Sequence, residues 1–196
     1  MAKELEIEFK NLLSEKEYDT LLAEYQLTDL HTQTNIYFDT EDYQLKQKKM
    51  GLRIRRTNDY TELTLKAPTS NQNTLLEVTD QLNTYLDGMP LNKQELPEIS
   101  EVAIFLQDQG ITLSELRTIG ELTTTRGEIN VRSNVLLVLD KSVYYGKTDY
   151  ELEMEVADAT DGEVFFFDFL KHHTIPVRVA DKKIARMMAH KNSFMV

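Results

Sequence analysis

Charged side chains of both signs alternate with hydrophobic ones along several stretches of this chain. In residues 3–10, K-E-L-E-I-E-F-K, the hydrophobic residues share one face, and Glu6, Glu8 and Lys10 share the other. This is the period-two pattern of a β-strand. The pattern recurs at Arg53, Arg55, Glu62, Lys66, Glu77, Arg126, Glu128, Asp140, Glu151, Glu153 and Glu155. One such strand is typical of a solvated sheet face, but the repetition favours a closed barrel with a polar lumen, where Lys and Arg can bind anions and carboxylates can bind hard cations.

The same alternation predicts the strands that position these residues. Strands are predicted at residues 3–10, 32–39, 50–56, 60–66, 74–79, 116–131, 134–141 and 148–156. Asn58 and Asp59 form a turn pair that joins two of them as a hairpin. Arg53 and Arg55 share a face in the first arm of this hairpin, so Arg56 is expected to point outward.

Helices are predicted at residues 14–25, 81–86, 100–109, 162–173 and 181–191. The first begins with an S-x-x-E capping box at Ser14 and Glu17. Gly88 and Gly110 are expected to end the second and third helices. The last two helices carry hydrophobic clusters that need a surface to pack on. The outer faces of the strands can supply it, so the barrel is predicted to be hydrophobic outside, under its helices, and charged inside.

Composition bounds the class of protein. The chain has 196 residues and no linker, so one domain spanning residues 1–196 is predicted. Lys and Arg number 22 against 33 Asp and Glu, and the net charge of −11 argues against an extended nucleic-acid surface or an anionic membrane partner. There is no Cys, which excludes disulfides and thiolate metal sites. No apolar run approaches the ~20 residues that span a bilayer, so a cytoplasmic protein is expected.

The E-x-E-x-K motif at Glu6, Glu8 and Lys10 resembles the signature of the CYTH domain, the family also called the triphosphate tunnel metalloenzymes. The order of the later segments makes the resemblance more specific. These segments are Y-F-D-T at 37–40, L-R-I-R at 52–55, L-T-L-K at 63–66, Glu77, Arg126, L-D at 139–140, E-x-E at 151–153 and K-I-A-R at 183–186. The resemblance implies an α+β fold with a closed eight-stranded antiparallel β-barrel, a triphosphate ligand, and Mg²⁺ or Mn²⁺ as cofactor.

Residue chemistry agrees with this ligand class, because Lys and Arg can clamp phosphate oxygens and carboxylates can bind hard cations. The candidate substrate-binding residues are Lys10, Arg53, Arg55, Lys66, Arg126 and Lys183. The candidate metal ligands are Glu6, Glu8, Glu77, Asp140, Glu151 and Glu153. The candidate catalytic residues are Lys10, Arg126, Glu151, Glu153 and Lys183. In this hypothesis the Glu151 and Glu153 strand orients a water that attacks the terminal phosphorus.

Three functions stay open at this point. The first is a metal-dependent hydrolase of inorganic triphosphate or a related small triphosphate, such as thiamine or nucleoside triphosphate. The second is an adenylate cyclase on the same scaffold; the His-Phe element that often precedes E-x-E-x-K in the family's cyclases is missing from this sequence. The third is a protein that binds triphosphate or polyphosphate without turnover. The expected partner is a small-molecule triphosphate, and the chain can be a monomer or a homodimer.

Several other residues have plainer explanations. Glu4 and Glu155 lie at strand ends and are expected to be solvated, and Glu128 can pair with Arg132 across a turn. Tyr37 and Asp39 match the family pattern, but a hydrogen bond at the barrel rim explains them as well as ligand contact does. Lys183 lies on a predicted helix, where an exposed Lys is usual, so the resemblance alone makes it a candidate. No G-x-x-x-x-G-K or G-x-G-x-x-G motif occurs.

Overall fold

The computed structural model describes residues 2–71, 73–82, 96 and 100–194. These residues form eight strands: β1 (Ala2–Leu13), β2 (His31–Thr40), β3 (Gly51–Arg56), β4 (Thr61–Pro68), β5 (Thr74–Leu82), β6 (Leu116–Arg132), β7 (Val135–Tyr144) and β8 (Lys147–Val156). The sheet is a closed barrel with the strand order β1-β5-β4-β3-β2-β6-β7-β8. Described strand pairs such as β3 with β4 and β7 with β8 are antiparallel. The predicted fold class is therefore confirmed.

The described helices are α1 (Glu15–Glu24), α2 (Gln44–Gln47), α3 (Glu101–Asp108), α4 (Ala159–His172) and α5 (Lys183–Phe194). The predicted capping box is present at α1, because Glu17 N donates to Ser14 Oγ at 3.3 Å and Ser14 N donates to Glu17 Oε2 at 2.7 Å. The four-residue helix α2 was not predicted. None of the described helices has both the length and the apolar character needed to cross a bilayer.

The predicted helix at residues 81–86 is wrong where the structure describes it. Gln81 and Leu82 continue strand β5, where they pair with Glu62 and Thr61 of β4. The hydrogen-bonded ladder thus extends beyond the end of the period-two pattern that marked this strand. Residues 83–86 and Gly88 lie outside the described residues.

The chain divides into two compact units, of which the first comprises residues 1–5 and 33–122. Its core is a hydrophobic cluster to which Leu52, Ile54, Leu63 and Leu65 contribute fully buried side chains. Helix α3 packs on strands β4 and β5. The Asp80 carboxylate ties α3 to β5 by accepting a hydrogen bond from Val102 N at 2.9 Å. Because side chains alternate along a strand, Arg53 and Arg55 lie on the face of β3 opposite to this core.

The second unit comprises residues 6–32 and 123–196. Helices α1 and α4 pack on strand β8, and the core between them includes Phe9, Leu139, Leu152 and Met154. Helix α4 lies so close to β8 that a Cβ on Gly162 would be 2.5 Å from Val156 Cγ2. The charged residues of β1, β7 and β8 occupy the opposite face of the strands. In each unit, hydrophobic and charged side chains are therefore separated as the alternation predicts.

Candidate active site

In the second unit, strand register brings the charged residues into contact. Lys10 of β1 pairs with Glu153 of β8. Asp140 of β7 pairs with Glu151 of β8 on one side and with Arg126 of β6 on the other. Directly opposed residues have neighbouring side chains on the same face of a sheet. The five residues therefore form one continuous group, which we call the charged cluster of the second unit.

Lys183, the first residue of helix α5, completes the charged cluster. Its Nζ lies 2.8 Å from Asp140 Oδ2, 2.8 Å from Glu151 Oε1 and 2.7 Å from Glu153 Oε1. Its side chain is 12% exposed, which departs from the usual exposure of a helical Lys. Burial disfavours the charge of Lys183, but the three carboxylates outweigh burial and raise its pKa well above the usual value. Lys183 is therefore a buried ammonium group held by three carboxylates.

Arg126 joins two of the same carboxylates. Its Nε and Nη2 donate to Asp140 Oδ1 and Oδ2 at 2.8 and 2.7 Å, and Nη2 also donates to Glu153 Oε2 at 2.9 Å. Burial raises the pKa of Asp140, but Arg126 and Lys183 outweigh burial and hold it below the usual value. A bidentate guanidinium fixes the orientation of its partner as well as its charge. Asp140 is thus held rigidly as an anion.

The two carboxylates of the E-x-E motif on β8 have pKa values shifted in opposite directions. Burial raises the pKa of Glu151 above its usual value despite the opposing charge of Lys183. Burial also acts on Glu153, but Lys10, Lys183 and Arg126 together hold the pKa of Glu153 well below its usual value. Adjacent acids with separated pKa values are typical of acid–base sites. Glu151 is the member of the pair that takes up a proton more readily.

Lys10 connects the charged cluster to the acidic residues of β1. Its Nζ lies 2.9 Å from Glu8 Oε1 and 3.3 Å from Glu153 Oε1. Glu8 lies two residues before Lys10 on the same face, and Glu6 lies two residues before Glu8 and is partly buried. Glu4 is exposed, as expected for a residue at the rim. The three residues of the E-x-E-x-K motif therefore follow one face of β1 toward the cluster.

Arg186 was not predicted as a site residue, although the K-I-A-R segment contains it. It lies one turn after Lys183 on α5, donates from Nη1 to Glu151 Oε2, and donates from Nε to Asp149 Oδ2 at 3.0 Å. Tyr144 donates a hydrogen bond to the same carboxylate, Asp149. Among the described side chains, Arg186 Nη2 is buried without a hydrogen-bond partner. The i, i+3 spacing from Lys183 was the sequence signal, because it places both cations on one side of the helix.

The first unit contains a second charged group, on strands β3, β4 and β5. Lys66 Nζ lies 3.2 Å from Glu77 Oε2, and Arg55 Nη1 lies 3.4 Å from Glu62 Oε1. Burial raises the pKa of Glu77, but Lys66, Arg53 and Arg55 outweigh burial and lower it. The structure thus brings together the four site residues predicted in this unit. It also adds Glu62, which the pattern had placed on this face without a role.

Asp39 has a structural role. Its carboxylate accepts hydrogen bonds from the backbone N–H groups of Thr40, Leu45 and Lys46 at 2.8, 2.9 and 3.1 Å. These bonds hold the first turn of α2 against the end of β2 and leave little capacity for a ligand. Asp39 of the Y-F-D-T segment is therefore explained by a local cap. Arg132 lies over the Phe165 ring, with its Cζ 3.9 Å from the ring centroid.

The donor chemistry of the clusters suits a hard divalent cation, because all the candidate ligands are carboxylates. Among the described residues, however, no group of three or more His, Asp or Glu side chains is arranged to hold a metal by itself. Carboxylate oxygens of Asp140, Glu151 and Glu153 converge on Lys183 Nζ. Mg²⁺ commonly binds through one or two carboxylates together with water and substrate phosphates, and the carboxylates present fit that mode.

The sequence model of the CYTH domain matches residues 4–188. This protein belongs to the CYTH family. It is 38% identical over 193 residues to a Bacillus subtilis (strain 168) protein named "Putative triphosphatase YjbK", and the match covers 97% of this chain and 98% of that protein. The predicted family is thereby confirmed.

The chain is also similar to solved structures. A Bacillus halodurans protein described as a "putative adenylate cyclase" is 35% identical to this CYTH protein, with a TM-score of 0.86. The match covers 95% of this chain and 98% of the B. halodurans chain. A Hippeastrum protein described as a "Putative adenylyl cyclase" with "a dominant triphophatase activity" is 23% identical, with 95% of each chain covered and a TM-score of 0.78. At that identity the second likeness concerns the fold alone.

Proposed function

We propose that this CYTH protein is a divalent-metal-dependent hydrolase of inorganic triphosphate or a related small triphosphate. The observation that carries the proposal is the contact of buried Lys183 with Asp140, Glu151 and Glu153 at 2.7–2.8 Å. The name of its B. subtilis relative, at 38% identity over nearly the whole chain, supports a triphosphatase.

The cost of burying the cluster supports a functional role. Removing charged groups from water is expensive, and packed hydrophobic residues often give equal or greater stability. Asp140 is fully buried, and Glu151 and Glu153 are nearly so. A protein needing only stability would gain little from this arrangement. An enzyme for a highly charged substrate gains positioned donors whose mobility is already restricted.

The cations of the cluster are suited to exchange their partners for phosphate. Lys10, Arg126 and Lys183 each hold carboxylate oxygens, and phosphate oxygens have similar hydrogen-bonding requirements. A divalent cation, when bound, supplies positive charge that neutralises the phosphate chain and accepts oxygen ligands. Glu6 and Glu8 of β1 would hold it, Asp140, Glu151 and Glu153 are further candidate ligands, and Glu77 is the candidate ligand in the first unit.

Hydrolysis then needs a water, a base and charge stabilisation at the leaving oxygen. Water attacks the terminal phosphorus, the bond from phosphorus to the bridging oxygen breaks, and diphosphate leaves. We assign acceptance of the proton of this water to Glu151, since its pKa is raised, whereas Glu153 stays ionised. Arg126, Lys183 and Lys10 hold the oxygens on which negative charge develops. Arg53, Arg55 and Lys66 of the first unit offer the same donor chemistry to phosphate oxygens.

The test is phosphate release from inorganic triphosphate and from ATP, each with Mg²⁺, with Mn²⁺ and with excess chelator. The proposal expects release that requires a metal and favours inorganic triphosphate. Glu8→Ala and Arg55→Ala are expected to lose activity, with exposed Arg132→Ala as the control. Full activity in both variants would contradict the assigned residues, and metal-independent release would contradict the cofactor.

The B. halodurans relative, at 35% identity, carries a name that favours a second candidate, adenylate cyclisation. The same ATP reactions distinguish the two, because a cyclase forms cyclic AMP and diphosphate and leaves inorganic triphosphate intact. A third outcome, calorimetric binding of triphosphate without release, would identify a protein that binds without turnover.

A further inference from the structure

Residues 174–182 connect helix α4 to helix α5, and we call this segment the strap. It carries the chain to Lys183, whose position in the charged cluster depends on where α5 begins. Ile175, near the start of the strap, is buried in the core of the second unit, but Val177 and Val179 are 64% and 84% exposed. Burial of hydrophobic side chains therefore does not fix the middle of the strap.

Hydrogen bonds to the end of strand β1 fix it instead. Asn11, whose side chain is fully buried, donates from Nδ2 to Pro176 O at 3.1 Å and accepts at Oδ1 from Arg178 N at 2.6 Å. Leu12 N donates to Arg178 O at 3.2 Å, and Asn11 forms an isolated antiparallel bridge with Val179. The strap is thus paired with β1 around the buried side chain of Asn11, whose polar atoms would be costly to leave unpaired.

The side chain of Arg178 adds a second attachment. Its Nη1 and Nη2 donate to Glu17 Oε2 and Oε1 at 2.8 and 3.0 Å, and Nη1 also donates to Leu12 O at 3.2 Å. Glu17 belongs to the capping box of α1. The hydrogen bond from Arg178 is the main cause that lowers the pKa of Glu17. Asn11, Glu17 and Arg178 therefore join β1, α1 and the strap, and we call these three residues the latch.

Two residues of the latch are close in sequence to residues of the charged cluster. Asn11 follows Lys10, which contacts Glu153, and Arg178 precedes Lys183 by five residues. Five residues of chain can extend by about 17 Å, so without the latch the start of α5 would be held only by the contacts of α5 itself, such as those of Arg186 with Glu151 and Asp149. Lys183 makes three contacts of 2.7–2.8 Å, which a small displacement would break.

We propose that Arg178, supported by Asn11 and Glu17, is a positioning residue for Lys183. The latch acts through the strap, holding the first turn of α5 where the ammonium group meets the three carboxylates. The effect on catalysis rests on the proposed function. The effect on the position of α5 does not.

A role in stability alone predicts a different result. Arg178 and Glu17 are partly exposed, and exposed ion pairs contribute little to stability. If the latch positions Lys183, Arg178→Ala should reduce turnover while the melting temperature changes little. Its effect should also vanish once Lys183 is removed, because coupled residues are not additive.

The experiment is a double-mutant cycle with Arg178→Ala and Lys183→Ala, with kcat and KM measured for inorganic triphosphate. Arg132→Ala, an exposed Arg of the same unit, is the matched control. In the background that keeps Lys183, we expect Arg178→Ala to lower kcat/KM about tenfold. Misplacement of a binding group by about an ångström can lower the rate by up to about 10²-fold. In the Lys183→Ala background we expect a change of less than about twofold.

Two further measurements complete the test. Hydrogen exchange of the peptide covering residues 179–190 is expected to rise in Arg178→Ala and to stay unchanged in Arg132→Ala. Glu17→Gln keeps an acceptor for the capping box but removes the ion pair, and a smaller effect in the same direction is expected. If Lys183→Ala abolishes turnover, the cycle is completed with the Kd for inorganic triphosphate.

Equal losses in both backgrounds, or unchanged exchange in residues 179–190, would overturn the proposal. An inactive wild type would instead contradict the proposed function and leave the exchange measurement to decide on the latch. The two failures are therefore distinguishable.

Discussion

Replacing Lys183 by Met tests how strongly the charged cluster depends on its buried ammonium group. Met is close to Lys in length, so the substitution removes the charge without a large cavity. Breaking a buried ion pair costs about 3–5 kcal/mol, because it leaves a buried charge without its partner. We expect about 3 kcal/mol, the low end, since Asp140 and Glu153 keep Arg126 and Glu151 keeps Arg186. For a chain of this size the melting temperature should fall by about 6–12 °C.

The pH dependence of this loss has a definite sign. The folded-state pKa values of Asp140 and Glu153 are depressed, so their stabilising contribution is present above the pKa of the unfolded carboxylates. It is lost as the pH falls through the depressed folded values. Without Lys183 the folded-state pKa values of Asp140 and Glu153 rise. These carboxylates are then protonated at a higher pH than in the wild type, and protonation relieves the repulsion among the carboxylates of the cluster. The difference in unfolding free energy between wild type and Lys183→Met should be largest near neutral pH and narrow as the pH falls below about 5.

The assay is urea unfolding at several pH values in buffer with chelator, so that metal binding does not contribute. Lys182→Met is the matched control, because Lys182 is the exposed neighbour on the same segment. We expect the control to change the unfolding free energy by less than about 0.5 kcal/mol. A Lys183→Met protein as stable as wild type, or a control that loses as much, would refute the reasoning.

Three further substitutions test other parts of the account. Arg126→Lys keeps the charge but loses the bidentate geometry, and kcat/KM for inorganic triphosphate should fall by about 10²-fold or more, as for loss of one positioned donor. Arg55→Ala should raise KM, whereas Arg117→Ala, an Arg of the same unit that contacts Glu41 O and the Tyr43 ring, should leave it unchanged. Burial raises the pKa of Tyr18 to about 12. Folding thus favours the neutral form of Tyr18, and the unfolding free energy of the wild type should fall as the pH rises from about 10 toward that value. The fall should be smaller in Tyr18→Phe. Titration of Tyr18 in the folded protein at the pKa of an ordinary tyrosine would contradict this prediction.

Local sequence patterns predicted the strand faces because the cause is local. Alternation along β3 correctly placed Arg53 and Arg55 opposite the hydrophobic core, since successive side chains of a strand point to opposite faces. The capping box at Ser14 and Glu17 was also correctly predicted, because its hydrogen bonds connect residues three apart. In β5 the alternating pattern extended only to Thr79. The last three residues of that strand, Asp80 to Leu82, depend on pairing with β4, which no local pattern contains.

The candidate site was harder to predict where it depends on tertiary contacts. Lys183 lies on a helix, and only the family resemblance made it a candidate; burial among three carboxylates became apparent from the fold. Arg186 was missed because its partners, Glu151 and Asp149, lie on a strand more than 30 residues away. Asp39 shows the opposite error, in which a residue that matches the motif has a structural role. It matched a motif, yet its carboxylate caps a helix too short to leave a periodic signal.

The most direct test of the central claim is the rate of phosphate release from inorganic triphosphate in the presence of Mg²⁺. Wild type, Lys183→Met and Lys182→Met should be compared under identical conditions. The account predicts chelator-sensitive release by wild type and Lys182→Met, and a loss of about 10²-fold or more in Lys183→Met. No release by wild type, or release by Lys183→Met at the wild-type rate, would contradict it.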